Sequence, residues 1–485
     1  MAPESDDLSV RGWVGLIAGP TCFVILLLLS PPDGLTLAGW RTMAVAVLMS
    51  IWWITEAIPI PATALLPLAL FPLLGIGGIR QVTAPYANPV IYLFLGGFLL
   101  AMGFAQSGLH RRMALSILSV VGTRPAQMVL GFMLATAFIS MWVSNTATVV
   151  MILPMALSVI ALTDRQATGE DRGVRREFEV ALLLGVAFAA TIGGLGTLIG
   201  SPPNALFAAF MLENYGIRIG FGAWMLMALP VVIVTLPITW WLLVRVLHRL
   251  SSTPIAGGAE LLGRERDAMG VMTRTEWTVG AIATATSLAW IARPFLETSL
   301  PGLSDTGIAV IAGLLLFLIP VGNRPLRFVL TWEQAERLPW SVLILFGGGL
   351  SLAGAIQEQG VAEWIGARLG LVAGWPELAV IAVVVVAVIL LSELASNTAV
   401  AAAFLPVAAS LAAVTGFQPQ LLTLGTALAA SCAFMLPVAT PPNAVVFGTG
   451  KLRVSDMVVA GVWLNLLFIV LLPLVVLYLG RWAFG

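Results

Sequence analysis

The chain is 485 residues long, 59% hydrophobic and only 10% charged, with 48 Gly and 29 Pro, and hydrophobic runs of about 20 residues recur along it. That composition excludes an intrinsically soluble enzyme, and 24 basic against 24 acidic side chains leave no net charge, which argues against a nucleic-acid partner. Cys22 and Cys432, the only cysteines, exclude a disulfide framework, and with His110 and His248 they cannot make a metal cluster.

An all-α polytopic membrane protein is therefore expected. The first dozen residues, MAPESDDLSVRG, are acidic and lack a basic region and a cleavage site, so no removable signal peptide is expected. Hydropathy then predicts crossings near 13–30, 38–58, 62–77, 90–107, 180–212, 223–247, 277–296, 305–321, 341–357, 418–448 and 457–480. Two further apolar segments, about 123–160 and 375–413, are long enough to enter and return as helical hairpins. Eleven full spans put the termini on opposite sides of the cytoplasmic membrane. With the N-terminus in the cytoplasm, eighteen Lys and Arg side chains fall on cytoplasmic segments and six on the other side, a clear positive-inside bias that leaves the C-terminus outside. Counting the hairpins as ordinary double crossings would move no charge across. The arginines fix orientation without deciding re-entry.

Each hairpin carries the same polar tripeptide, followed after six residues by Leu-Pro: SNTATVVMILP from Ser144 and SNTAVAAAFLP from Ser396. The correspondence extends further. LGGFLLA (95–101) aligns with GGGLSLA (347–353), Gly108 with Gly360, and Ser144-Asn145-Thr146 with Ser396-Asn397-Thr398, all 252 residues apart. A second pair follows at a slightly smaller offset: GVAFAAT (185–191) with GTALAAS (425–431), and SPPNALF (201–207) with TPPNAVV (440–446). Under the charge-based topology the first hairpin opens to the cytoplasm and the second to the exterior. Parallel halves in opposite orientation are inverted repeats, an architecture of secondary transporters.

Asn and Thr at membrane depth cost free energy unless something uses them. Two consecutive prolines remove two backbone donors and clash with the preceding turn, so the segments holding Ser201-Pro202-Pro203-Asn204 and Thr440-Pro441-Pro442-Asn443 must break there. Each is read as two half-helices around an unwound middle, with Ser or Thr capping the second half. Gly193, Gly194, Gly196 and Gly200 loosen the first further. Unwound backbone in a membrane is tolerated only against protein or a hydrated cavity. Two tips and two breaks would aim four helix N-termini at one place; at roughly half a charge each they offset about two negative charges. A small divalent anion is the natural guest. Half-helix carbonyls with Ser and Asn oxygens suit a hard cation such as Na⁺. Capping and kinking alone would explain one such motif, but not four in repeat register.

These residues resemble the divalent-anion:sodium symporter family, which includes sodium/dicarboxylate and sodium/sulfate carriers. The likeness spans nearly the whole chain; WWITEAIPIPATALLP (52–67) looks like the family's early signature and ASCAFMLPVATPPNAVV (430–446) like its late one. The resemblance implies an elevator carrier, usually a homodimer. Its scaffold would comprise 1–122, with spans one to four and an interfacial arm, and 277–374, with spans seven to nine and a second arm. The moving transport domain would comprise 123–250, with the first hairpin and spans five and six, and 375–485, with the second hairpin and spans ten and eleven; 251–276 would be a cytoplasmic loop. One Na⁺ site is implied at Ser140, Ser144, Asn145 and Gly200, and another at Ser392, Ala395, Asn397 and Ala439, where Gly and Ala offer only backbone carbonyls. Ser392 stands where Thr is often expected and keeps the hydroxyl. Substrate carboxylates would meet Asn145, Thr146, Asn397 and Thr398 beside Ser144 and Ser396, with Ser201, Pro202, Thr440 and Pro441 lining the remainder.

The expected activity is Na⁺-coupled import of C4-dicarboxylates such as succinate, with at least two Na⁺ per protomer and no organic cofactor. Dicarboxylate exchange, or carriage of another divalent anion such as sulfate, is the near alternative. A passive channel is disfavoured by inverted repeats with broken helices, and an enzyme by the lack of a nucleophile–base pair. Two intramembrane acids stand apart: Glu393, beside the second ion site, is read as either a hydrogen-bonded structural group within the hairpin or a coupling group, and Glu56 is assigned to structure. GLHRRMALSILSVVG (108–122) and GVAEWIGARLGLVAG (360–374) read as interfacial arms joining scaffold to transport domain, with ordinary span ends as the competing reading.

Overall fold

The computed structural model describes residues 10–166, 172–297, 299–323, 326–368 and 374–484; the acidic start of the chain, Arg324 and the end of the second arm lie outside them. Apolar chain closes its backbone hydrogen bonds most economically as helix. Among the described residues ten helices are long and apolar enough to cross a membrane, and four more are apolar but shorter: Ile60–Leu73, Pro125–Ser140, Asp305–Leu318 and Glu377–Ser392. Large apolar side chains such as Ile17, Ile233, Leu314 and Val470 point outward unshielded, a surface that only a bilayer would cover.

The departures from the hydropathy reading have local causes. The crossing expected at 62–77 comes as two short helices, Ile60–Thr63 and Leu66–Leu73, each opening with a proline in its first turn. Asp305–Leu318 stops at Ile319, which turns extended and leads into a two-stranded antiparallel hairpin, Pro320–Asn323 with Leu326–Phe328. The expected cytoplasmic loop contains an amphipathic helix, Gly258–Met269. Hydropathy also counts a hairpin helix as a span: Asn145–Thr163 and Asn397–Thr415 are both long and apolar enough to cross.

Both hairpins form as helix–turn–helix pairs. Pro125–Ser140 and Glu377–Ser392, 16 residues each, lead through the turns 141–144 and 393–396 into Asn145–Gln166 and Asn397–Thr415. Both Pro-Pro segments break: Arg172–Gly194 gives way to Pro202–Tyr215, and Pro419–Ala430 to Pro441–Phe447. In each half the last long helix, Phe221–Trp241 or Val454–Val475, runs on into a π-helical turn a few residues after a proline, Pro237 or Pro473.

Arg175–Gly194 is 94% buried, the most enclosed of the long helices, and packs against both helices of the first hairpin. It is the core element of its half. Elsewhere Pro89–Ser107 lies along Asp305–Leu318 so closely that a β-carbon on Gly96 would stand 2.5 Å from the carbonyl of Ala309. The first arm, Leu109–Val121, starts after left-handed Gly108 and packs on Pro125–Ser140. Its Arg112 binds Glu276 at 2.7 Å and the carbonyls of Met269, Gly270 and Val271, which pins the end of the amphipathic helix. The second arm is helical over Val361–Arg368.

Candidate functional site

The turn of the first hairpin is closed by Val143 N–H to Ile139 O, and Ser144 accepts from Ala147 N–H to start the next helix. Asn145, the first residue of that helix, aims its carboxamide back at the hairpin and at the first broken helix. One terminal atom of that carboxamide lies 2.7 Å from Ser140 Oγ and 3.1 Å from each of Gly200 O and Ala190 O. As nitrogen it donates to all three. As oxygen it accepts from the Ser140 hydroxyl and stands with the Gly200 and Ala190 carbonyls as a cluster of four oxygens, a donor set of the kind a hard cation such as Na⁺ takes. Three of the four belong to residues predicted for the first ion site; the Ala190 carbonyl was not predicted. Ser140 is fully buried and also donates to Ala190 O. Gly194 is required here, since a β-carbon would stand 2.4 Å from Asn145 Oδ1.

Several carbonyls at the unwound segment 195–201 find side-chain donors. Asn204 donates to Gly194 O (3.0 Å) and Thr197 O (2.8 Å), and Trp224 Nε1 donates to Leu195 O (2.9 Å). Thr197 donates to Met141 O at the hairpin tip and accepts from Gly200 N–H. The Asn of Pro-Pro-Asn thus closes the break. In the second half Asn443 does the same, donating to Leu436 O at 3.0 Å, and Thr440 caps its own helix by accepting from Asn443 N–H. Neither asparagine was among the predicted site residues, although the repeated motif contains both.

The second ion site has the same skeleton. Ser392 and Asn397 stand 252 residues after Ser140 and Asn145. Ser392 Oγ and Asn397 Oδ1 are buried with no hydrogen-bond partner among the described residues. Ala395, between them in sequence, and Ala439, in the second break, are buried as well. Two orphaned oxygens at the mates of two clustered ones are what a hard cation would satisfy.

Glu393 is hydrogen-bonded as the structural reading expects, but to partners outside the hairpin. Its carboxylate accepts from three consecutive backbone N–H groups of the second break, Phe434 (2.7 Å), Met435 (3.0 Å) and Leu436 (3.1 Å), and from Asn465 Nδ2 (2.7 Å). The bonds leave the hairpin and tie its tip to the break and to Val454–Val475. With both oxygens so engaged, Glu393 is a structural brace.

The predicted substrate residues divide. Ser144, Asn145, Thr146, Ser396, Asn397 and Thr398 are all half-buried, and the hydroxyls of Thr146 and Thr398 make no hydrogen bond among the described residues. Ser201 Oγ instead meets Ser431 Oγ at 2.9 Å, joining the two breaks across the repeats. Pro202 is half-buried and Pro441 exposed. Ser396 and Thr398 line a cavity of about 720 Å³ shared with Glu56 and Ser341; the first tripeptide is not part of its wall. Pro202–Tyr215 packs on Asn397–Thr415 and Pro441–Phe447 on Asn145–Gln166, so each broken helix engages the opposite hairpin. Of the four expected helix N-termini, the one at Pro441 heads a helix of only seven residues, so its dipole is the weakest.

The family described as the sodium:sulfate symporter transmembrane region matches residues 11–484. Sodium-dependent dicarboxylate transporter SdcS of Staphylococcus saprophyticus is 42% identical over 481 residues, covering 98% of this chain and 93% of that protein. SdcS of Staphylococcus aureus strain USA300 is 42% identical over 470 residues, covering 96% and 90%. Among solved structures, the Alcanivorax borkumensis YdaH transporter matches with a TM-score of 0.57 at 14% identity, over 91% of this chain and 99% of that one. Neisseria gonorrhoeae MtrF, from a class of antimetabolite efflux pumps, matches at 0.55 and 13% identity, over 95% and 97%. At such identity these two likenesses speak for the fold alone.

Proposed function

Because the chain belongs to the sodium:sulfate symporter transmembrane family, we propose that it is a secondary carrier coupling Na⁺ to the uptake of C4-dicarboxylates such as succinate. The observation that carries this reading lies at the two hairpin tips: Ser140, Asn145, Gly200 and Ala190 converge at one, and the matching Ser392 and Asn397 oxygens are buried without partners among the described residues at the other. The relatives' name supplies the substrate class and the cation, and the Ser, Asn and carbonyl oxygens at the two tips support a Na⁺ at each.

The finer architecture belongs to the same proposal: eleven spans, two re-entrant hairpins in inverted repeats, the N-terminus in the cytoplasm, the inner membrane, a homodimer and an elevator motion of the hairpins and broken helices against the rest. Helix order supports it, since an arm, a hairpin, a broken helix and a final π-ended helix recur in both halves. Na⁺ is cargo here, bound by Ser and Asn side chains and backbone carbonyls. Thr146 and Thr398 would donate to the dianion from the two tips, with Asn145 and Asn397 between anion and cation. A dianion entering a negative-inside cell works against about 2.3 kcal/mol per charge per 100 mV. Two Na⁺ neutralise that charge and a third makes uptake electrogenic. Labelled succinate uptake into proteoliposomes tests the reading: choline in place of Na⁺ should abolish net uptake, with Na⁺ dependence steeper than hyperbolic. If internal succinate drives equally fast uptake without Na⁺, the carrier is an exchanger.

A further inference from the structure

Helix Leu37–Thr55 ends at Glu56, whose φ of 51° and ψ of 39° lie in the left-handed region. Among the described residues it is the one non-glycine there. At a helix stop of this kind glycine is the low-cost residue, because a β-carbon in that conformation crowds the backbone. The chain keeps a carboxylate instead, and this carboxylate makes no hydrogen bond or ion pair among the described residues. What it does line is the 720 Å³ cavity that Ser396 and Thr398 of the second hairpin also line. Among the described residues no Lys, Arg or His lines that cavity, and Glu56 is the one charged side chain there.

We propose that Glu56 is a specificity-determining residue of this vestibule: a fixed negative charge that favours Na⁺ and opposes the dicarboxylate on the face where the cavity opens. The inference rests on the symport reading above. A lone carboxylate on the path of a dianion is costly for binding, and useful for release. It raises the local Na⁺ concentration in the cavity that Ser396 and Thr398 line and weakens the hold on the anion there. Its own backbone strain fits a group kept for function rather than for packing. Glu56 lies on a helix outside both hairpins, so if these move as proposed, its influence is confined to one face.

The test uses the purified full-length carrier and Na⁺-dependent succinate binding in detergent, at low ionic strength and with choline chloride added at fixed Na⁺. Glu56→Gln removes the charge and keeps the shape; Glu56→Gly removes it and relieves the backbone; Glu56→Asp keeps it. Gln and Gly variants should bind succinate roughly threefold to tenfold more tightly than wild type, from Coulomb interaction across a water-filled gap, and need more Na⁺ for half-saturation. The gap should close as choline chloride approaches about 1 M, where screening acts within about 3 Å. Wild-type binding in Glu56→Gln, or a difference indifferent to ionic strength, overturns the proposal. So does a change seen in Glu56→Gly alone, which would mark a backbone effect. If the wild-type protein binds no succinate in Na⁺, the symport reading itself fails, and that outcome shows before any substitution is made.

Discussion

Removing the carboxylate of Glu393 should loosen the second break and weaken Na⁺ binding together. Oε1 accepts from Phe434 N–H, Met435 N–H and Asn465 Nδ2, and Oε2 from Met435 and Leu436 N–H, all at 2.7–3.1 Å. The residue is 4% exposed and water is a poor substitute. Glu393→Gln keeps one acceptor oxygen and turns an amide N–H₂ toward two N–H donors. Leu436 N–H then loses its acceptor, a cost of about 1–3 kcal/mol. Glu393→Ala strands all three backbone donors and the Asn465 amide, in the range of about 3–5 kcal/mol for breaking a buried charged network. The order wild type, Gln, Ala should appear in melting temperature in detergent and, because Ala439 and Thr440 follow the braced segment, in the Na⁺ needed for half-maximal succinate binding. Unfolding of such proteins is usually irreversible, so the three must be compared at one scan rate. Wild-type melting and Na⁺ dependence in Glu393→Ala would refute the brace.

Thr146→Ala and Thr398→Ala should each weaken succinate binding roughly tenfold to a hundredfold, from loss of a hydrogen bond to a charged group worth about 1.5–3 kcal/mol, with melting unchanged; calorimetric titration reads this. Ser392→Ala should raise the Na⁺ requirement, yet leave stability without Na⁺ unchanged or slightly higher, because the hydroxyl it removes is buried without a partner. Gly194→Ala should act at the first site: its methyl collides with Asn145, so Na⁺-dependent binding falls while overall helicity by circular dichroism stays.

Much of this was legible because the informative residues are unusual for their setting. Ser-Asn-Thr in an apolar run gave the tips, which form within four-residue turns at 141–144 and 393–396. Pro-Pro gave both breaks, since a missing donor and a steric clash act locally whatever the surroundings. The count of spans was less legible, because a returning hairpin helix buries the same apolar surface as a crossing one. The Ala190 carbonyl and the N–H groups met by Glu393 left no trace in the sequence, and nothing there tied the indole of Trp224 to the break. Backbone groups carry no side-chain signature, and their partners come from tertiary packing. Glu56 was read as structural because its left-handed conformation exists only once the helix end is built.

Both breaks use an Asn that donates to a carbonyl. They differ in the backbone groups that converge at the hairpin tip, and that difference bears on how two ions of opposite sign are kept apart. In the first, donors from Asn204, Trp224 and Ser140 meet open carbonyls, and the carbonyls of Ala190 and Gly200 still converge near Asn145. In the second, three consecutive N–H groups converge instead, and such a nest attracts anions. Left empty, it would offer a substrate carboxylate a resting place three residues from Ala439, at the expense of the tip. Glu393 occupies it with a carboxylate of the chain's own, where the first hairpin has Met141 at the equivalent position. Emptying the nest should therefore make it a site for an outside carboxylate. In Glu393→Ala, formate should raise the melting temperature in a saturable way, as ligand linkage requires, while wild type and Glu393→Gln respond little. Chloride at equal ionic strength controls for screening. Equal responses in all three proteins would mean that the three N–H groups do not form an anion site, and that Glu393 braces the break by packing alone.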